Sequence, residues 1–254
     1  MKNLLLTIFS LAVLTACKEK KNVDVYTPSI DAFAINGSTE TTQNYIAADT
    51  ITLSFSMSDN QSLRSYIINI HPAADGHTHT GNGSSGGEWK LPAGQWNVYE
   101  EVAVNSANHS SSKSFVIPDS ISGIWHVVLT ATDDFGLSAS KAFSLIIENP
   151  NAPEIDLTSV SPTIDEDGKI HAQPGSSIQL HAHAYDPDGL QSVNIKLYSG
   201  SGQLLNTSSV PVSGTTVDFP ANFNQASLGT YHIAIEARDL LGFMRVWDVL
   251  VIVQ

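Results

Sequence analysis

The chain has 254 residues, a formal net charge of −13 and a single cysteine. The acidic balance argues against a nucleic-acid partner, which would require basic patches, and one cysteine cannot form an internal disulfide. At roughly 100–150 residues per domain, this length predicts two domains that each bury their own core.

The first residues are typical of a secretory signal. Lys2 precedes an apolar stretch from Leu4 to Leu14, which is too short to span a bilayer because spanning takes about 20 apolar residues. The run Leu-Thr-Ala-Cys that ends at Cys17 resembles the lipobox of bacterial lipoproteins. The resemblance implies that residues 1–16 are removed and that Cys17 receives a diacylglycerol. An ordinary signal peptide with a chance cysteine is the alternative.

Residues 17–30 are predicted to form a lipidated tether, because they combine charge with Thr-Pro-Ser and contain little to bury. In the lipoproteins that the chain resembles, an aspartate after the cysteine retains the protein at the inner membrane. Lys18 stands at that position, so the resemblance implies anchoring in the outer membrane. The tether lacks the acidic run that directs some such lipoproteins to the cell surface, which favours the periplasmic face.

The sequence contains an internal repeat. Residues 51–63 match residues 178–190 at an offset of 127, and residues 123–136 match residues 229–242 at an offset of 106. Apolar and polar residues alternate within these blocks, which is typical of antiparallel strands with one buried face. We therefore predict an all-β fold of two tandem Ig-like antiparallel β-sandwiches.

The first sandwich is predicted over residues 31–149 and the second over residues 150–254, joined by a short proline-containing linker. The Gly-x-aromatic pattern that opens residues 123–136 resembles the penultimate strand of Ig-like, cadherin-like and PKD-like domains. The whole layout resembles a family of uncharacterised Bacteroidota-type lipoproteins with Ig-like repeats and a histidine-rich loop. That resemblance implies no particular activity.

The two offsets differ by 21, so the first copy contains about 21 residues that the second lacks. We place this insertion near residues 71–89, where three histidines lie beside two carboxylates. Imidazole nitrogen suits zinc and copper, and a carboxylate can complete the coordination. A mononuclear zinc or copper site is predicted, with a metal-free polar loop as the alternative. The candidate ligands are His71, His77, His79, Asp75, Glu88 and His109, the last in a predicted hairpin loop at residues 105–113.

Histidines elsewhere give a weaker signal. His181 and His183 share one strand face and His171 lies on the preceding predicted strand, which suggests either a second metal site or solvated sheet residues. His126 and His232 occupy equivalent positions in the two copies. Because His232 recurs in the copy without the insertion, we assign both a structural role.

Aspartates of the second copy suggest a calcium site. Asp186, Asp188 and Asp239 resemble calcium-binding loop positions of cadherin-like domains. The first copy has Asp59 and residues 133–134 at the matching places. Calcium takes hard oxygen ligands, but Asp-x-Asp-Gly is also an ordinary turn, which is the alternative.

No arrangement of a nucleophile beside a base is apparent in the sequence, so we predict that the protein is not an enzyme. The expected function is that of a lipid-anchored cell-envelope protein that binds zinc or copper, with an envelope protein or transporter as partner. The alternative is a structural or adhesive module in which Ig-like domains hold a protein or glycan.

Overall fold

The protein is built from β-strands. The computed structural model describes residues 24–73, 93–225 and 227–254. This part of the chain contains no helix long and apolar enough to cross a membrane. Its strands in chain order are β1 (Ser29–Ile35), β2 (Thr42–Ile46), β3 (Thr50–Pro72), β4 (Val98–Val116), β5 (Gly123–Asp133), β6 (Ser138–Glu148), β7 (Glu154–Ser161), β8 (Lys169–Ala172), β9 (Ser177–Tyr185), β10 (Leu190–Ser199), β11 (Leu204–Val210), β12 (Thr216–Asn224), β13 (Gly229–Asp239) and β14 (Met244–Val253). The predicted all-β sandwich class is confirmed.

The first six strands surround one core. Their order is β1-β3-β5-β6-β2, and β4 also pairs with β3. The 23-residue strand β3 pairs with different strands along its length. Residues 53–58 pair with β1, and residues 63–72, which follow a register shift, pair with β5. Buried side chains from both groups meet in one cluster that includes Phe55, Tyr66 and Trp125.

The last eight strands repeat the strand order of the first six, and the long strand β3 corresponds there to two shorter strands. β7, β9 and β12 form a three-stranded sheet, and β11, β10, β13, β14 and β8 form a five-stranded sheet. At the offset of 127, β9 and β10 correspond to the two halves of β3. Their apolar faces enclose a second core cluster that includes Phe219, Ile233 and Trp247. The sequence repeat is thus also a repeat of strand order.

The extra residues of the first copy lie between β3 and β4. Residues 73–97 connect these strands with 25 residues, whereas residues 200–203 connect the equivalent strands β10 and β11 with four. The difference equals the 21 residues inferred from the offsets. The insertion therefore begins directly after the end of β3 that contains His71.

The predicted hairpin loop at residues 105–113 is wrong. These residues lie inside β4, and β3 pairs with them on both sides of its register shift. Their serines and asparagines lack the apolar alternation that marks a strand. Backbone pairing with β3, rather than a buried face, accounts for the strand.

Hydrogen bonds join the two halves of the chain. Arg245 on β14 donates from Nη2 to the carbonyl oxygen of Asn149 at 3.0 Å, and from Nε to the carbonyl oxygen of Pro153. Both acceptors lie in the predicted linker, between the two core clusters. The division into domains at residues 149–150 stays a prediction.

Candidate functional site

Most of the histidine-rich insertion lies outside the described residues. This holds for four of its predicted ligands and for the lipidation residue, namely Asp75, His77, His79, Glu88 and Cys17. His71 is described, near the end of β3. The structure therefore describes the base of the insertion.

At that base, His71 lies beside a second histidine. It pairs in register with His126 of β5, and the two ring centroids are 5.6 Å apart with ring planes at 85°. Both residues are partly exposed, and their neighbours Ile70, Trp125 and Val127 are buried in the core. Two imidazoles on one tetrahedral zinc, bound through bonds of about 2.0–2.1 Å, have centroids about 5 Å apart. The pair is therefore near the spacing of two ligands to one ion.

The second copy has no histidine pair at the equivalent register. There, Tyr198 pairs with His232 and replaces His71 as the cross-strand neighbour. His232 Nδ1 lies 3.4 Å from Oδ2 of Asp248. Of the two copies, only the one with the insertion combines two histidines. Sequence reasoning compared single positions and not pairs, so it did not place His126 beside His71.

The structure does not bring His109 to this pair. His109 lies inside β4 opposite Met57, and its ring stacks on Tyr66 with centroids 5.3 Å apart. On β3, His71 is fourteen residues beyond Met57. The two histidines therefore occupy distant registers of the β3–β4 ladder.

The second set of candidate histidines is spread over two sheets. His171 lies on β8 of the five-stranded sheet, whereas His181 and His183 lie on β9 of the three-stranded sheet. His171 Nε2 is 2.8 Å from Oδ2 of Asp165, and His183 Nδ1 is 2.9 Å from Oδ1 of Asp218. In the described residues these imidazoles do not converge on one point.

The candidate calcium loop of the second copy contains two buried carboxylates. Asp186 and Asp239 are 2% and 0% exposed, whereas Asp188 is exposed. Asp186 Oδ1 accepts a hydrogen bond from the backbone N–H of Asp188 at 2.8 Å. Burial raises the pKa of Asp186, the bond from Asp188 opposes this, and the charge of Asp239 raises the pKa further.

In the first copy a third aspartate joins the matching pair. Asp59 and Asp133 correspond to Asp186 and Asp239, and Asp24 lies shortly before β1. One carboxylate oxygen from each of the three lies within 4.8 Å of the other two. Asp24 and Asp133 are only 6% and 0% exposed. Of the described residues, no other three ligand-type side chains converge in this way.

These three carboxylates share one pattern of hydrogen bonding. Each Oδ1 accepts from backbone N–H groups that lie two to four residues further along the chain. The donors, at 2.8–3.0 Å, are Tyr26 for Asp24, Gln61 and Ser62 for Asp59, and Phe135 and Leu137 for Asp133. Each Oδ2 is buried and has no hydrogen-bond partner within the described part of the chain.

Sequence reasoning placed Asp24 in the tether and so missed it. The sequence feature that could have indicated its equivalence to Asn149 is the spacing to a proline. Asp24 lies four residues before Pro28, and Asn149 lies four residues before Pro153. Both side chains accept a hydrogen bond at 3.0 Å from the backbone N–H two residues on. The two segments are therefore equivalent, with an aspartate in the first copy and an asparagine in the second.

The first half of this all-β protein contains both the histidine pair and the three converging aspartates. Residues 15–148 match the model of a family described as a domain of unknown function, DUF4625. The match covers more than half of the chain, and the chain belongs to this family. His71, His126 and the three aspartates lie inside the matched range, whereas the second copy lies outside it. A comparison with curated proteins finds no match.

Similar solved structures are distant in sequence. Dimeric latent PorU of Porphyromonas gingivalis matches at 16% identity and a TM-score of 0.28, over 94% of this chain and 21% of PorU. The E. coli alpha-2-macroglobulin matches at 11% and 0.39, over 90% of this chain and 16% of that one. Titin domains z1z2 match at 15% and 0.24, over 90% and 97%. The chain thus spans about a fifth or less of the two bacterial proteins, and scores this low carry no argument about function.

Proposed function

We propose that the protein is a lipid-anchored, non-enzymatic component of the cell envelope that binds zinc or copper at its histidine-rich insertion. The observation that carries this proposal is the pair of His71 and His126, with ring centroids 5.6 Å apart at the base of the insertion. The copy without the insertion has Tyr198 at the place of His71. A pair of histidines at this register therefore occurs only in the copy that has the insertion.

The chemistry of the donors favours a borderline transition metal. Imidazole nitrogen binds zinc and copper well, and strand pairing holds two of the rings side by side. His77 and His79 are the further imidazoles that the insertion offers, and Asp75, Glu88 or water would complete the coordination. The lipidated Cys17 supplies no thiolate, so nitrogen and oxygen ligands must suffice.

The anchor fits a role in handling metal at the envelope. Lipidation of Cys17 would keep the protein at the membrane, and Lys18 favours the periplasmic face of the outer membrane. The expected partner is a transporter or another envelope protein that exchanges the metal. None of these steps requires a catalytic residue.

Titration calorimetry of the full chain in detergent, with ZnCl₂ and CuCl₂, tests the proposal. We expect one ion per chain, and at least about tenfold weaker binding for His71→Tyr and for His126→Ala. His71→Tyr installs the residue of the second copy, so it suits this strand position. His232→Ala is the matched control and should bind like the wild type. Because ligands must be neutral imidazoles, affinity should fall below about pH 6.

Three results would contradict the site. One is an affinity that does not change in either variant of the pair. Another is the absence of binding by the wild type at neutral pH, which would favour the adhesive alternative. Binding that is equally strong at pH 5 and pH 7 would also contradict coordination by histidines.

A further inference from the structure

We propose that Asp24, Asp59 and Asp133 together bind one calcium ion at the point where the chain enters the first sheet. This site is separate from the histidine pair and goes beyond the proposed function. Its ligands come from three places in the chain: the segment before β1, the bend within β3, and the last residue of β5.

The first argument is the unmet bonding of buried carboxylates. Each of the three uses Oδ1 for the backbone, and each Oδ2 is buried without a hydrogen-bond partner in the described residues. None of the salt bridges found there reaches Asp24, Asp59 or Asp133. A buried carboxylate without a partner is costly, and three in contact repel one another. A divalent cation would satisfy all three.

The second argument is geometry and donor type. Calcium binds oxygen ligands at about 2.3–2.6 Å, so ligands on opposite sides of one ion lie about 5 Å apart. The three carboxylate oxygens fall within 4.8 Å of one another, inside that limit. The donors are all hard oxygens, which disfavours zinc and copper. Magnesium demands a near-ideal octahedron with shorter bonds and is reluctant to lose water, so calcium fits better.

The third argument comes from the second copy, which has two of the three carboxylates and an asparagine at the place of the third. There, Asn149 replaces Asp24, and its amide donates to the carbonyl oxygens of Asp119 at 2.7 Å and Ile121 at 3.3 Å. Two buried carboxylates remain there, Asp186 and Asp239. The first copy adds a third carboxylate to the pair. A bound cation would offset the repulsion that this third carboxylate adds.

Asp24→Asn is the decisive variant. Asparagine keeps the Oδ1 acceptor for the Tyr26 N–H, removes one charge and reproduces the residue of the second copy. We expect the full chain in detergent to bind one Ca²⁺ with a dissociation constant at or below about 10⁻³ M, and Asp24→Asn to bind at least about tenfold more weakly. Asp31→Asn changes an aspartate of β1 outside the cluster and should bind like the wild type.

Thermal unfolding separates an ion site from a merely structural role. CaCl₂ in excess should raise the Tm of the wild type by several degrees relative to EDTA, and magnesium should raise it less. In EDTA, Asp24→Asn should unfold at the same temperature as the wild type or higher, because it removes repulsion. A residue that only supported the fold would instead lower the Tm in EDTA.

Three outcomes would overturn the assignment. They are a wild type that does not respond to Ca²⁺, a response of Asp24→Asn equal to that of the wild type, and an equal response to Mg²⁺. His71→Tyr should retain calcium binding in full. Failure of the histidine site and failure of this site are therefore distinguishable.

Discussion

At the scale of single residues, the two copies differ in the number of buried aspartates at the matching place. The second copy has Asp186 and Asp239 there. Burial raises the pKa of Asp186, and the charge of Asp239 adds to the shift. A raised pKa means that the folded state holds this proton more tightly than the unfolded chain. The contribution of Asp186 to stability is therefore fully present below its unfolded pKa and is lost as the pH rises through the folded pKa.

Asp186→Asn should accordingly be at least as stable as the wild type at pH 7. Asparagine keeps the Oδ1 acceptor for the Asp188 N–H and removes a buried charge. Any gain over the wild type should be largest at neutral pH and should shrink as the pH falls, because the raised pKa of Asp186 makes the folded wild type take up a proton before the unfolded chain does. Urea unfolding at several pH values measures this, with the exposed Asp188→Asn as control. A variant that is clearly less stable at pH 7 would contradict the argument.

At the scale of elements, the strands that the sequence predicts are those with one apolar face. Residues 51–63 and 123–136 alternate in this way, and they form parts of β3 and β5. This alternation does not reveal β4, because its middle is polar. That part of β4 is a strand because it pairs with β3, whose residues lie tens of positions earlier in the chain. Asp24 is a similar case, since only the folded chain brings it to Asp59. Local patterns predict strands and repeats, whereas the site depends on long-range pairing.

One glycine near the end of the insertion, Gly94, lies in a tight contact with the segment before β5. Gly94 has a φ of +83°, and a Cβ there would lie 2.7 Å from the carbonyl oxygen of Ser120 and 2.9 Å from Cγ2 of Ile121. Its neighbour Ala93 exchanges two backbone hydrogen bonds with Ser122, at 2.9 and 3.1 Å. The insertion is thus fastened here to the chain just before β5.

Gly94→Ala should therefore destabilise the protein more than a glycine replacement in open space. Gly136→Ala is the matched control, because its φ is +87° and an added Cβ would meet nothing within 4 Å. The left-handed backbone costs each variant about 1–2 kcal/mol. The contacts at Gly94 should add about 1–3 kcal/mol. Chemical unfolding of both variants gives the difference, and equal losses would show that Ser120 and Ile121 move aside freely.

At the scale of the whole molecule, both proposed binding sites lie in the first half of the chain. The first half contains the insertion, the histidine pair and the three aspartates, and it is the half that matches the family model. The second half repeats the strand order without the insertion and has Asn149 in place of Asp24. Asp24 is also seven residues from Cys17. Calcium at Asp24, together with the proposed lipidation of Cys17, would hold the first sandwich close to the membrane.

The anchor itself is testable in cells. Cys17→Ser removes the thiol that lipidation requires, so the variant should take up no labelled palmitate and should leave the membrane fraction. Several acyl chains hold a protein firmly because each buried CH₂ contributes about 0.8 kcal/mol, so their loss should weaken membrane binding strongly. Lys18→Asp is the matched control: it should keep the label and shift the protein towards the inner membrane, since destination and anchoring are separate signals. Equal labelling of Cys17→Ser and the wild type would refute lipidation at this cysteine.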